Sequence, residues 1–259
     1  MKKIAMLFIA FLSLMSCEKV IDIDLNSTDP KVVIEGIVTD QNELFTVTIN
    51  KTVNFSDANK YPAIGKAIVT IADNAGNSEV LTETITGTYK SKKLVGVIGR
   101  TYTLTVNAEG KTYTAKSTMP AKVNITDIKY EVAPRPGQKE DHYVLFPQFI
   151  DPKGTGNNYR FVQSTTKKMD KTIIITNDNV EDGIPNARPI FSRDLDILLG
   201  DTVTVEMHCI DKASYDYFYS LTQSANGGAT PANPITNIQG GALGYFAAYT
   251  IQKFTKVVK

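Results

Sequence analysis

Between Lys31 and Ser117 apolar and polar residues alternate with a period of two. In Tyr102-Thr103-Leu104-Thr105-Val106 the large side chains fall on one side and the threonines on the other. That is the pattern of a strand with one buried face. The segments KVVIEGIVT, FTVTINK, KAIVTIAD, SEVLTETI, GTYK, RTYTLTVN and KTYTAKS predict about seven strands, each rich in Val, Ile, Thr or Tyr. Turn formers punctuate them at Asp73-Asn74-Ala75-Gly76-Asn77 and at Ala108-Glu109-Gly110. Short strands at this spacing suggest an immunoglobulin-like sandwich over residues 31–119. No Cys pair and no Trp marks a true immunoglobulin domain, so the expectation is one of architecture.

Met119-Pro120-Ala121 is a natural boundary, because Pro120 disfavours continuation of regular structure. The second region, 120–259, is again predicted as β, sandwich or barrel-like, with one helix. Its strands are VNITDIKYEV, YVLFPQFID, NNYRFVQS, KTIIIT and DTVTVEMHCI, and Pro147 places the second of these at an edge or a bulge. In the last, Val203, Val205, Met207 and Cys209 share one face and Thr202, Thr204, Glu206 and His208 the other. Asp211 is a good N-cap for a helix over 211–223, DKASYDYFYSLTQ, which Asn226-Gly227-Gly228 stops. Tyr215, Phe218 and Thr222 form one stripe, and Phe218 is predicted to pack on the sheet while Tyr217 faces solvent. A long strand, Gly244 to Val258, is expected to complete the sheet of the second region.

The first residues carry a different signal. Lys2 and Lys3 precede an apolar run, Ile4 to Leu14, too short for a membrane-spanning helix and suited to a secretory signal over 1–16. The run ends in Leu14-Met15-Ser16-Cys17, which resembles the lipobox of bacterial lipoproteins. That resemblance implies cleavage before Cys17, a diacylglycerol on its thiol and a further acyl chain, such as palmitate, on the new amine, giving stable membrane anchoring. Glu18 to Pro30 reads as a tether reaching on the order of 40 Å when extended. Val20, Ile21, Ile23 and Leu25 leave open a docked β segment instead.

Loss of Lys2 and Lys3 with the signal moves the net charge from +1 to about −1, so nothing favours a nucleic-acid partner. Beyond Cys17 the only cysteine is Cys209, which leaves no intrachain disulfide and rests the fold on core packing. With Trp absent, twelve Tyr and eleven Phe supply the aromatic bulk.

Candidate chemistry is sparse. His208 and Glu206 share a strand face but supply two ligands where a metal centre needs three or four, and His142 lies far away in sequence. Met207 and Cys209 read as core. The loop Asn177 to Gly183 has Asp178, Val180, Asp182 and Gly183 at the first, third, fifth and sixth places of a calcium loop. Val180 cannot ligate, and Pro189 stands at the twelfth place, where a bidentate Glu is required, so only a non-EF oxygen site stays open there. No nucleophile elbow or phosphate loop is present, and Gly240-Gly241 suits a tight turn or close packing against the helix. Asp194 and Asp196 have no identifiable partner pocket. Neither a catalytic residue nor a cofactor or metal is expected. The aromatics Tyr217, Tyr219, Tyr245 and Tyr249 are the candidate ligand or partner contacts.

The order of the C-terminal marks is itself informative. The SYDYF helix, the Asn-Pro turn and Asn237 to Phe246 resemble the close of the domain-of-unknown-function 4249 family, DUF4249, lipoproteins of Bacteroidota. CEKVIDIDL, VVIEGIVTD, Gly99 to Val106 and Asp151-Pro152 with Asn157-Asn158-Tyr159-Arg160 resemble the same family upstream. The resemblance implies an accessory lipoprotein of the outer membrane, working beside a TonB-dependent receptor in nutrient capture and without catalysis. It is expected at the cell surface, with the periplasmic face left open. The alternative is a structural or assembly component of the outer-membrane surface.

Overall fold

The computed structural model describes residues 29–41, 43–54, 60–134, 140–179, 182–186, 188–225 and 232–259. The expected signal, Cys17 and the tether up to Thr28 lie outside the described residues, as do Val180 and Asn226 to Gly228.

The period-two segments form β1 (Val32–Thr39), β2 (Thr46–Lys51), β3 (Ile68–Asp73), β4 (Ser78–Val80), β5 (Thr82–Ile85), β6 (Thr88–Lys90), β7 (Thr101–Ala108) and β8 (Lys111–Thr118). They pair as β1-β2-β6-β5 in one sheet and β4-β3-β7-β8 in the other. Lettered in chain order, that is A-B-E-D facing C′-C-F-G, the strand arrangement of an immunoglobulin-like sandwich. The predicted strand SEVLTETI is two strands, β4 and β5, in different sheets. The chain crosses between them at Leu81, which is buried in the first core. Tyr102, Leu104 and Val106 all point inward, as their alternation requires. The Tyr102 hydroxyl accepts a hydrogen bond from Val97 N at 2.7 Å, the device known as a tyrosine corner. It satisfies a polar atom on a fully buried ring and pins the loop that enters β7.

The second region contributes β9 (Asp127–Val132), β10 (Tyr143–Gln148), β11 (Asn158–Thr165), β12 (Ile174–Asn177), β13 (Thr202–Ile210), α1 (Lys212–Ala225) and β14 (Leu243–Val257). β9 and β10 pair as a two-stranded sheet, so Pro147 costs no ladder bond in a larger one. A core built around Leu145, Phe149, Phe161, Val205 and Met207 fills this half. Cys209 is part of that core, and burial pushes its thiol up from the ordinary range.

β14 does more than complete the second sheet. Leu243 to Tyr249 runs parallel to β1, with Val33 opposite Leu243 and Thr39 opposite Tyr249. Thr250 to Val257 then runs antiparallel to β13, from Cys209 opposite Thr250 to Thr202 opposite Val257. One eight-stranded sheet, β12-β11-β13-β14-β1-β2-β6-β5, therefore passes through both halves. Phe246 and Ala248 enter the first core, and Ala247 and Tyr249 face the opposite side of the sheet. The segment just before β14 is held by side chains: Asn237 Oδ1 accepts from Phe246 N at 3.0 Å and its Nδ2 donates to Phe246 O at 2.7 Å. Gly240 packs close to Thr112 and Tyr113 of β8, where an added Cβ would meet Thr112 O at 2.7 Å. The expected close approach is thus to β8 and not to the helix.

Candidate ligand cleft

α1 begins where the sequence places it. Asp211 Oδ1 accepts from Ser214 N at 2.9 Å, an N-cap bond. Its second oxygen accepts from Ser117 Oγ at 2.7 Å and Thr118 N at 3.0 Å, so the same carboxylate fastens the helix start to β8. The helix lies on the face of the large sheet turned away from the first core. Tyr217, Phe218, Ile210, Ala247, Tyr249 and Ile251 are buried there together. Phe218 packs on the sheet as predicted, but Tyr217 does not face solvent. It is 8% exposed, and its ring sits 5.3 Å from Phe218 and 4.7 Å from Tyr245. The buried stripe of a helix on a flat sheet is wider than the i, i+3 pair that defined it, so adjacent positions both turn inward. Burial, more than nearby Glu35, pushes the Tyr217 and Tyr245 hydroxyls up to about 12.

The four predicted contact tyrosines thus separate. Tyr217 and Tyr245 belong to the helix–sheet packing. Tyr249 is buried and stacks on His208 at 4.6 Å. Only Tyr219 is open, 49% exposed, and it stacks on Tyr215 at 6.0 Å with planes 14° apart. This tyrosine pair forms one wall of a cleft of about 590 Å³. Ile173, Ile175, Phe191 and Pro189 add to its apolar lining, and Lys171, Arg193 and Asp194 add charge. Phe191, 63% exposed, was not singled out in the sequence, since an isolated Phe in a loop carries no periodic signal. Asn177, at the end of β12, donates from Nδ2 to the Tyr215 hydroxyl at 3.0 Å and fixes the rear of the tyrosine wall. A cleft of this size, apolar and aromatic with a few charged residues, is suited to a small organic ligand or a peptide side chain.

A second concavity, about 310 Å³, lies on the same sheet face beside β1, lined by Ile37, Tyr249, Glu206, His208 and Lys253. His208, expected on the polar face of its strand, is 4% exposed. Tyr249 covers one side of its ring, and Arg160 Nη1 lies 3.4 Å from its Nδ1. Arg160 in turn sits over the Phe218 ring at 4.7 Å. Burial first, and Arg160 after it, holds His208 below its ordinary value, so it is neutral at pH 7. Its Nε2 lies 3.4 Å from Glu206 Oε2, and Lys253 Nζ is 2.7 Å from Oε1. Hydrogen bonding from His208, then Lys253, brings the Glu206 carboxyl down to about 2. A carboxyl lowered on folding stabilises above its unfolded value near 4.5 and loses that stability as pH falls towards 2. The contribution is on the order of 1–2 kcal/mol after solvent screening. Glu206→Gln is expected to flatten the pH dependence of unfolding between about 4.5 and 2. An unchanged slope in acid denaturation would contradict it.

His142 is buried at the start of β10, its Nδ1 3.5 Å from Asp196, and does not join His208. Asp194 lines the cleft while Asp196 turns to His142, so the pair does not converge.

Residues 18–255 match the family described as Domain of unknown function (DUF4249). A search of curated proteins finds no match. Among solved structures the chain is similar to a two fibronectin type-III domain segment from chicken tenascin, at 10% identity and a TM-score of 0.25, over 89% of this chain and 99% of that one.

Proposed function

The chain belongs to the DUF4249 family, and on that premise we propose that it is a non-catalytic, lipid-anchored accessory of the outer membrane that assists a TonB-dependent receptor in nutrient capture. The observation that carries the capture role is the cleft between α1 and β12, with its stacked Tyr215–Tyr219 wall and exposed Phe191. The lipobox at Leu14 to Cys17 supports the anchor and the tether supports a domain that stands off the membrane, facing the cell surface. A second reading, a structural or assembly component of that surface, draws on Val95, Val97 and Ile98, which are exposed on one loop of the first sandwich.

Both readings are separated by one experiment in the native cell. Tagged protein is recovered from detergent-solubilised outer membranes and its partners are identified. A TonB-dependent receptor is expected, retained by the Val97→Ser variant and at least several-fold depleted in Tyr219→Ala. Tyr219 is exposed, so that change is expected to shift stability by no more than about 0.5 kcal/mol. The opposite ranking of the two variants favours assembly. Recovery with no receptor, or a Cys17→Ala protein still processed and membrane-bound as a lipoprotein, overturns the proposal.

A further inference from the structure

The carboxylate of Asp178 is buried and only half used. The residue is 3% exposed. Oδ2 accepts from Asn157 N at 2.9 Å, whereas Oδ1 is sealed from solvent and has no donor among the described residues. A buried carboxylate oxygen without a partner costs several kcal/mol in general, and native structures rarely leave one so.

Two more carboxylates face it. Asp151, 5% exposed, comes from the loop after β10, and Asp182 from the loop after β12. One oxygen of each of the three acids lies within 4.8 Å of the others. Backbone dipoles hold them in position: Gly183 N donates to Asp151 Oδ2 at 3.3 Å, and Gly154 N to Asp182 Oδ1 at 2.7 Å. The Tyr159 hydroxyl donates to Asp151 Oδ1. These donors are neutral. Among the described residues none of the ion pairs involves Asp151, Asp178 or Asp182. Like charges this close in a partly buried place need a cation between them or a shared proton. A cavity of about 10 Å³ opens beside Asp151 and Asp178, closed by Phe149, Tyr159, Ile184 and Asn186, room for about one small sphere.

We propose that Asp151, Asp178 and Asp182 bind one divalent cation of the calcium type. Hard carboxylate oxygens suit calcium, and the cluster holds no imidazole or thiolate to draw a softer metal. Calcium accepts six to eight oxygens in irregular geometry, so three carboxylates and water suffice, where magnesium demands a near-ideal octahedron. Asp178 and Asp182 occupy the first and fifth places of a calcium-loop pattern whose third and twelfth places fail. The missing acidic ligand is supplied across space by Asp151. The bound ion ties Asp151, after β10, to Asp178 and Asp182, after β12. Because Asn177 also holds Tyr215, the ion steadies the β12 wall of the ligand cleft. The site does not depend on what the cleft captures.

The test uses the purified chain stripped with a chelator. Titration with calcium chloride alone is expected to show one ion per chain and a rise in melting temperature, with a weaker response to magnesium. Terbium in place of calcium is expected to emit under tyrosine excitation, because Tyr159 adjoins Asp151. Asp178→Asn is expected to weaken calcium binding at least tenfold. Since that residue is buried, Asp182→Asn serves as the second variant. Asp182 is exposed, and its variant should keep the chelator-treated melting temperature while also losing at least tenfold in affinity. No binding up to about 10 mM calcium, tenfold beyond the roughly 1 mM weak end for extracellular modules, overturns the site. So does undiminished binding by both variants.

Discussion

Phe218→Ala is expected to destabilise the protein by about 3–5 kcal/mol, the usual cost of truncating a buried Phe. Phe218 is 5% exposed, lies edge-on to Tyr245 at 5.1 Å and carries Arg160 over its ring. Its loss opens a cavity at the centre of the helix–sheet packing. It also takes from the half-buried Arg160 guanidinium the aromatic face against which it rests, worth about 0.5–1 kcal/mol more. In a domain of this size such a change lowers the melting temperature by on the order of 10 °C. Two separate regions meeting at Pro120, as the sequence suggests, would let the first sandwich survive this loss. The shared strand β14 leads to a different expectation. Tyr245 and Phe246 are neighbours on β14, one under the helix and one in the first core, so both halves should melt in a single transition. Denaturant unfolding followed by far-UV circular dichroism decides it: a loss below about 1 kcal/mol, or two separated transitions, refutes the expectation.

Gly244→Ala is expected to cost at least about 3 kcal/mol, combining left-handed backbone strain with a clash. Gly244 has φ +96°, and an added Cβ would be driven into the Ile34 carbonyl oxygen. That carbonyl belongs to β1, at the point where Ile34 and Gly244 are register partners. No side-chain rotation relieves a contact with backbone on the adjacent strand, so β1 and β14 must part locally. Gly241→Ala, also at positive φ but with open space around the added Cβ, is the control. It should cost only the backbone strain, about 1–2 kcal/mol. Equal effects of the two variants in chemical denaturation would show that the clash is relieved elsewhere.

The strands were legible because burial follows alternation. Val203, Val205, Met207 and Cys209 are all buried, as their shared face requires. The opposite face was legible only in part. Glu206 and His208 look solvated on the strand, yet Tyr249 and Arg160 cover His208 from strands that are distant in sequence. Polarity along one strand reports what that strand offers and not what lies over it. The helix was placed by its cap and its periodicity, while the inward turn of Tyr217 followed from the aromatic surface of Tyr245 beneath it. The cation cluster shows the same division. Asp178 and Asp182 share a loop and could be suspected together, but Asp151 joins them only because Asn157 N bonds Asp178 and Gly183 N bonds Asp151 across two loops. The Tyr102 corner was equally hidden, since its hydroxyl serves a loop amide that carries no side-chain signal.

The pairing of β1 with β14 sets an order of events in time. Val33 finds Leu243 only after the intervening chain has been made, so the most distant contact in the sheet is also among the last that can form. Until then β1 keeps one bare edge, a row of free amides and carbonyls open to a neighbouring chain. Contacts of such long sequence separation fold slowly and leave that edge exposed for longer. The molecule is therefore expected to be most prone to self-association as a nascent or truncated chain lacking residues 243–257. Its last strand acts as the latch that ends this vulnerable interval.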